Sequence, residues 1–161
     1  MLTTRATKRE KGGSFVRDMR FDVLDGERQV GAMVFDFIAS NGTLTFDGRP
    51  YTVSRAGKKI EDIWTLKDEA GGILARAERS GERFTVSRGG ENFLFRKVWR
   101  PYHLYREGSD RSLGLVGQKK FFTRLLHMEL PPEFEPAFQA FLLVLVLGLS
   151  MDNLEALGRS R

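Results

Sequence analysis

Two kinds of hydrophobic pattern divide the chain. Up to about Leu130, apolar and polar residues alternate in short segments separated by turn-forming pairs such as Asp25-Gly26 and Asn41-Gly42. Period-two alternation interrupted by such turns roughly every 8–12 residues predicts the strands of an all-β barrel or sandwich. The segments leave no room for the helical crossovers of a parallel sheet, so we expect an antiparallel one.

The last hydrophobic segment is apolar on every side. From Ala137 to Leu149 only Gln139 is polar, and a helix of this kind must be covered on all faces by protein or by lipid. At 1.5 Å per residue the run spans about 20 Å, short of the roughly 30 Å of a hydrocarbon core. Acidic residues precede it, opposite to the charge expected beside a membrane anchor. We therefore predict a closed antiparallel barrel around a central helix at about 134–149, with a tail anchor as the alternative.

One domain accounts for the length of 161 residues. Residues 1–13 are basic, poor in apolar side chains and end in two glycines, which predicts a flexible tail. Residues 14–157 are predicted to form the barrel domain, and 158–161 a second short tail. The absence of cysteine and of an apolar signal segment indicates a cytoplasmic protein.

Two stretches resemble the tubby C-terminal-like superfamily. The segment from Trp64 to Ala75 looks like that family's strand–Asp–x–x–Gly–strand hairpin. The apolar run from Ala137 to Leu147, followed by Ser150-Met151-Asp152, looks like its central helix. The likeness covers most of the chain and is greatest to the bacterial LURP-one-related group.

The resemblance implies a mainly β fold, with about 12 strands in a closed barrel threaded by one hydrophobic C-terminal helix. Tubby binds phosphoinositides through basic residues on the barrel exterior, so it also implies a candidate ligand class. Phospholipid scramblases, in the same superfamily, carry a cysteine cluster and a proline-rich N-terminus. This chain has neither, which argues against scramblase-type membrane insertion.

Positive charge is concentrated in the second half of the predicted sheet. Residues 73–128 hold twelve Lys and Arg against five Asp and Glu. Such a field attracts anionic partners, and arginine's forked donors suit phosphate. The candidate anion-binding residues are Arg76, Arg83, Arg96, Lys97, Arg106, Lys119, Lys120 and Arg124. A surface whose charge serves only solubility is the alternative.

No constellation typical of catalysis appears. Only two histidines exist, His103 and His127, on separate predicted strands, and no glycine-rich loop precedes a helix. Carboxylates such as Asp62 and Asp68 lie in hairpin loops, where they mostly cap turns. We expect no enzyme, no metal and no cofactor.

The expected function is therefore a monomeric, non-enzymatic binding module. Its expected partner is an anionic membrane surface or phosphate-bearing ligand, bound peripherally by the basic outer strands. A protein-interaction domain with an unknown protein partner is the main alternative. Nucleic acid ranks below lipid because no RNA-binding signature accompanies the aromatic residues. A small-molecule binder or enzyme using a barrel cavity ranks last because the helix fills the interior.

Overall fold

The computed structural model describes residues 1–6, 18–36, 38–58, 60–118 and 126–159, without the side chains of 6, 18 and 153–159. Within these residues twelve strands precede one helix, α1 (Pro136–Arg159). The strands are β1 (Leu2–Ala6), β2 (Asp18–Asp25), β3 (Arg28–Asp36), β4 (Asn41–Phe46), β5 (Arg49–Ala56), β6 (Ile63–Lys67), β7 (Ile73–Ser80), β8 (Arg83–Arg88), β9 (Glu91–Lys97), β10 (Tyr102–Arg106), β11 (Ser112–Gln118) and β12 (Leu126–Glu129).

The strands form a closed antiparallel barrel, which confirms the predicted fold class. Each strand pairs with its neighbours in sequence, and β1 closes the ring by pairing with β12. That closing ladder joins Leu2 to Met128 and Thr3 to His127. The sequence analysis predicts a flexible tail over residues 1–13, which is wrong for residues 2–6 because they form a strand. Residues 7–13 lie outside the described part of the chain. The error arose because five mostly polar residues are too short to show a period.

Alternation along each strand fills the barrel interior. In β8, for example, Phe84 and Val86 are buried whereas Arg83 and Thr85 face solvent. Eight strands enclose a space that side chains alone can fill, and wider barrels leave room for a further element. Here twelve strands surround a helix, whose diameter with side chains is about 10–12 Å.

The helix occupies this interior over the predicted apolar run. All residues from Ala137 to Leu149 are buried, and Gln139 donates a hydrogen bond from Nε2 to the carbonyl oxygen of Phe134 at 2.9 Å. The helix begins two residues later than predicted and continues ten residues further, to Arg159. The prediction ends the helix at about 149 because polar residues follow, and the partners of Asp152 are remote in sequence. In the described part of the chain no helix has the combination of length and hydrophobicity needed to cross a bilayer.

The two ends of the barrel are named by the path of α1. The entry end holds the segment 130–135, which leads into the helix, and the turns 68–72, 89–90 and 107–111. The exit end, where the helix leaves, holds the turns 81–82 and 98–101 and the residues 38–40, 57–58 and 60–62. Each strand therefore runs from one end to the other, and successive turns alternate between them.

We expect Leu143→Asp to prevent folding, because Leu143 is 0% exposed and a charge there would have no partner. Ile73→Asp is the matched control, since Ile73 is 65% exposed. Thermal melting followed by circular dichroism compares the two. Soluble Leu143→Asp protein with an unchanged melting curve would contradict the central-helix fold.

Gly148→Ala tests the fit between helix and wall. An added Cβ at Gly148 would lie 2.5 Å from Cη2 of Trp64, so overpacking should cost about 1–3 kcal/mol of unfolding free energy. Trp64→Phe removes that atom, and in its background Gly148→Ala should be neutral or stabilising because alanine favours helix. Urea unfolding of the unmodified protein, the two single variants and the double variant measures the free energy of unfolding. An equal cost of Gly148→Ala in both backgrounds would rule out the contact.

Candidate functional site

A buried ionic cluster lies beside α1 at the exit end. The Arg55 guanidinium donates hydrogen bonds of 2.6 and 2.8 Å to Asp62, and of 3.2 and 2.8 Å to Asp152. Arg79 contacts the same two carboxylates at 3.3 and 2.8 Å, and Lys58 lies 3.2 Å from Asp152. Three cations and two anions thus share one network that ties two hairpins to the helix.

The position of Arg55 in this cluster is set by the alternation along β5 and by contact with the indole ring of Trp64. Arg55 follows Val53 on the inward-facing side of β5, so its side chain enters the barrel. Its guanidinium carbon lies 4.6 Å from the ring centroid of Trp64, a cation–π contact. The six-membered part of the same indole packs against Gly148. Trp64 therefore links the cluster to the middle of the core.

The contacts within the cluster favour the charged forms of Arg55 and Asp152. Burial by itself would raise the pKa of Asp152, but hydrogen bonds and charge from Arg55 and Lys58 outweigh it and keep that pKa below its usual value. Burial likewise opposes the charge on Arg55, whereas Asp62 and Asp152 raise its pKa above the ordinary value. Arg55 and Asp152 stay ionised at neutral pH, and their role is structural.

A cavity of about 330 Å³ opens beside the cluster. It lies between the last buried turns of α1 and the ends of β9 to β12. Its apolar lining residues are Leu126, Val146, Leu147 and Leu149. Its polar lining residues are Arg79, Glu82, Lys97, Arg100, Tyr102, Gln118 and Ser150. Burial raises the pKa of Tyr102 to about 12, so its phenol keeps its proton at neutral pH.

Three exposed apolar side chains project from separate turns at the exit end. Ile38, Ile60 and Trp99 are 69%, 93% and 90% exposed. Each lies in a hydrogen-bonded turn: Asp36 accepts from the backbone N–H of Ile38 at 2.9 Å, Ile60 N–H donates to Gly57 at 2.9 Å, and Val98 N–H donates to Pro101 at 3.0 Å. Trp99 has a φ of +66°, which is rare for a bulky residue and costs free energy.

The structure brings some of the predicted basic residues together and separates others. Arg83 and Arg96 are directly opposite each other on β8 and β9, and both face solvent near the exit end. Lys97 occupies the inward-facing side of β9 and lines the cavity. Elsewhere on the barrel, Arg76 pairs with Glu78 at 3.3 Å and Arg106 with Glu133 at 3.2 Å. The predicted residues Lys119, Lys120 and Arg124 lie outside the described residues.

The entry end neutralises two of its cations, Arg88 and Arg106. Arg88, on the inward side of β8, binds the Glu135 carboxylate just before α1 begins. The hydrogen bond to Glu135 raises the pKa of Arg88. Its guanidinium carbon also lies 5.0 and 5.3 Å from the ring centroids of Phe134 and Phe138. Together with the pairing of Arg106, this leaves the exit end as the more basic of the two.

Sequence reasoning missed the ionic cluster and the cavity. Asp62 is predicted to cap a turn, and Asp152 is given no partner in the sequence analysis. The alternation along β5 does indicate one member of the cluster. Arg55 falls on the same side of the strand as Tyr51 and Val53, which predicts an inward-facing arginine that needs an acidic partner. Asp68 does cap its turn as expected, since its Oδ1 accepts from Gly72 N–H at 2.8 Å.

Comparison of the chain with models of known protein families, with curated proteins and with solved structures finds no match. The resemblance to the tubby C-terminal-like superfamily therefore stays a prediction.

Asp152→Asn should destabilise the fold and change its response to acid. Breaking a fully buried ion pair costs roughly 3–5 kcal/mol, and we expect somewhat less because the Asp152 side chain is 14% exposed. Since folding lowers the pKa of Asp152, its contribution is present above the usual aspartate pKa and is lost as the pH falls through the folded value. Urea unfolding from neutral to acidic pH should show a shallower loss in the variant.

Asp110→Asn is the control, because Asp110 is exposed in an entry-end turn. Its stability at neutral pH should match that of the unmodified protein. Equal stability of Asp152→Asn and Asp110→Asn would show that the cluster does not hold the helix.

Proposed function

We propose that this protein is a non-enzymatic module that docks peripherally on anionic membrane surfaces through its exit end. The observation that carries the proposal is that exposed apolar turn residues and solvent-facing cations occupy the same end of the barrel. Ile38, Ile60 and Trp99 supply apolar side chains, and Arg83 and Arg96 supply charge. This combination is typical of proteins that lie on a bilayer without spanning it.

The opposed arginines support an anionic partner. Like charges directly opposite each other on neighbouring strands destabilise a sheet. Arg83 has no ion-pair partner among the described residues, and Arg96 is covered on one side by the ring of Tyr105, 4.9 Å from its guanidinium carbon. A headgroup phosphate between the two guanidinium groups would offset their repulsion and accept their forked donors.

The apolar turns support a bilayer over a soluble anion. Tryptophan favours the level of the lipid headgroups, where its apolar body and polar N–H are both accommodated. Each basic residue near an anionic surface contributes about 1 kcal/mol at low salt. The entry end offers a weaker surface of this kind, because Arg88 and Arg106 are paired with Glu135 and Glu133.

Co-sedimentation with vesicles tests the docking surface. We compare neutral phosphatidylcholine vesicles with vesicles that also contain phosphatidylserine or a phosphoinositide, from low to high salt. The double variant R83E/R96E should lose binding roughly tenfold or more, since each reversal replaces attraction by repulsion. The matched control R49E/R111E reverses two exposed arginines at the entry end and should bind as the unmodified protein does.

Tryptophan fluorescence gives an independent readout. Trp64 is 1% exposed and Trp99 is 90% exposed, so a blue shift on adding vesicles reports burial of Trp99. The shift should vanish in Trp99→Phe, and Ile60→Ser should weaken binding more than Ile73→Ser at the entry end. Binding that is insensitive to R83E/R96E, or a constant emission maximum with bound vesicles, would contradict docking by this end.

A protein partner is the second candidate, and the exposure of Trp99 favours it. Tryptophan and arginine are the residues most enriched at the energetic centres of protein interfaces. If the protein binds none of the vesicles, the same end becomes a protein-binding surface, and Trp99→Ala should abolish capture of a specific partner while Ile73→Ala preserves it.

A further inference from the structure

A row of three outward-facing side chains crosses β8, β9 and β10 near the exit end. Arg83 lies directly opposite Arg96, and Arg96 lies directly opposite His103. Neighbouring strands are about 4.8 Å apart, so this outer row spans about 10 Å. The proposed docking surface already includes the two arginines, and His103 extends the same row by one strand.

The acidic residues around the outer row do not cover it. Glu78 of β7 is held in an ion pair at 3.3 Å, and Glu82 of the adjoining turn lines the cavity at the exit end. On the other side, Leu115 of β11 lies opposite His103 and separates it from Glu129 of β12. The row therefore presents the charge of its two exposed arginines to solvent.

Contacts with β11 fix the imidazole ring of His103. The β10–β11 ladder shifts its register after Leu104, as at a β-bulge, and Ser112 lies within hydrogen-bond distance of the ring. The Ser112 hydroxyl accepts from Gly114 N–H at 3.2 Å and donates to the Gly114 carbonyl oxygen at 3.1 Å. Because its one proton is used in this way, the 2.7 Å contact with His103 requires Nδ1–H to donate to Ser112 Oγ. The lone pair is therefore on Nε2, the nitrogen that takes up a proton.

Protonation of His103 would add a third cation to the outer row. The groups that face its ring are Arg96 from β9, Ser112 and Leu115 from β11, and Tyr105 of its own strand, whose ring centroid lies 6.4 Å away. Burial and the charge of Arg96 lower the pKa of His103, so the ring is neutral at neutral pH in the free protein. An anion bound beside Arg96 would favour the charged ring.

We propose that Arg83, Arg96 and His103 form one site for a tetrahedral oxyanion, which binds more tightly when His103 Nε2 is protonated. Forked arginine donors suit such an anion, and the imidazolium adds a third charge-assisted hydrogen bond. By reciprocity, the bound anion raises the affinity of the ring for a proton by the same factor. Identification of the anion as a headgroup phosphate rests on the proposed function, whereas the site itself does not. Docking would then strengthen as the pH falls.

Nuclear magnetic resonance titration of the two histidines tests the site without vesicles. Sulfate is the probe, because this tetrahedral dianion keeps its charge from about pH 5 to about pH 8, the range in which histidine titrates. Sodium sulfate is compared with sodium chloride at equal ionic strength, so that screening is the same. Sulfate should move the titration midpoint of His103 upwards by about half a pH unit or more, roughly a threefold change in proton affinity. The titration of His127, which lies on β12 outside the row, should not move.

Two double variants locate the effect of sulfate. R83E/R96E replaces both fixed cations of the outer row and should abolish the difference between sulfate and chloride. R49E/R111E reverses two exposed arginines at the entry end and should preserve that difference. A His103 midpoint that sulfate does not move, or a sulfate effect that survives R83E/R96E, would overturn the proposal.

Vesicle binding at two pH values tests the headgroup as the ligand. Phosphatidylglycerol is the anionic lipid, because its phosphodiester keeps one charge across this range. Lowering the pH from about 7.5 to about 5.5 should strengthen binding about fivefold, the gain expected of one further cation near an anionic surface. His103→Gln should remove this increase, and the matched control His127→Gln should retain it.

An increase that persists in His103→Gln would contradict the role of His103. Absence of vesicle binding at both pH values would contradict the proposed function instead, and the sulfate titration then decides the site on its own.

Discussion

The need to cover a helix that is apolar on every side governs the rest of this structure. No flat sheet and no partner helix can cover all faces of such an element, whereas a closed sheet can. Closure also removes the exposed edges that an open antiparallel sheet would present. The number of strands follows from the same need, because the barrel must be wide enough for a helix and narrow enough to pack against it. The short β1–β12 ladder therefore matters beyond its length, since without it the helix would be exposed along one side.

Ion pairs at the two ends fix the axial position of this helix. Apolar packing alone would leave the helix free to slide by a turn, because leucine and valine repeat along it. Glu135 pairs with Arg88 at the entry end, and Asp152 pairs with Arg55 and Arg79 at the exit end. A shift of one turn, about 5.4 Å, would break both sets of contacts. The ion pairs thus serve specificity, a use that is attested where polar groups set register.

Local patterns predicted most of the fold and little of the candidate site. Period-two alternation identified the strands, and the unbroken apolar run identified the central helix, because both signals lie within one element. The ionic cluster joins Arg55 to Asp152, 97 positions apart, and no local pattern reports such a pairing. The surroundings of the candidate basic residues escape local patterns for the same reason: Arg76 and Arg106 are paired with acids, and only register shows that Arg83 lies opposite Arg96. The sequence shows which residues are charged, but only the fold shows which of these charges are neutralised by a partner.

That distinction explains why the exit end, and not the whole basic half of the sheet, is the functional surface we propose. The cations that the fold requires are those held by carboxylates, as Arg55 and Arg88 are. Arg83 and Arg96 contribute nothing of this kind and repel each other, and Trp99 combines full exposure with an unfavourable backbone conformation. Each of these features lowers the stability of the isolated protein. Under the proposed function, a partner bound at this end would relieve that cost.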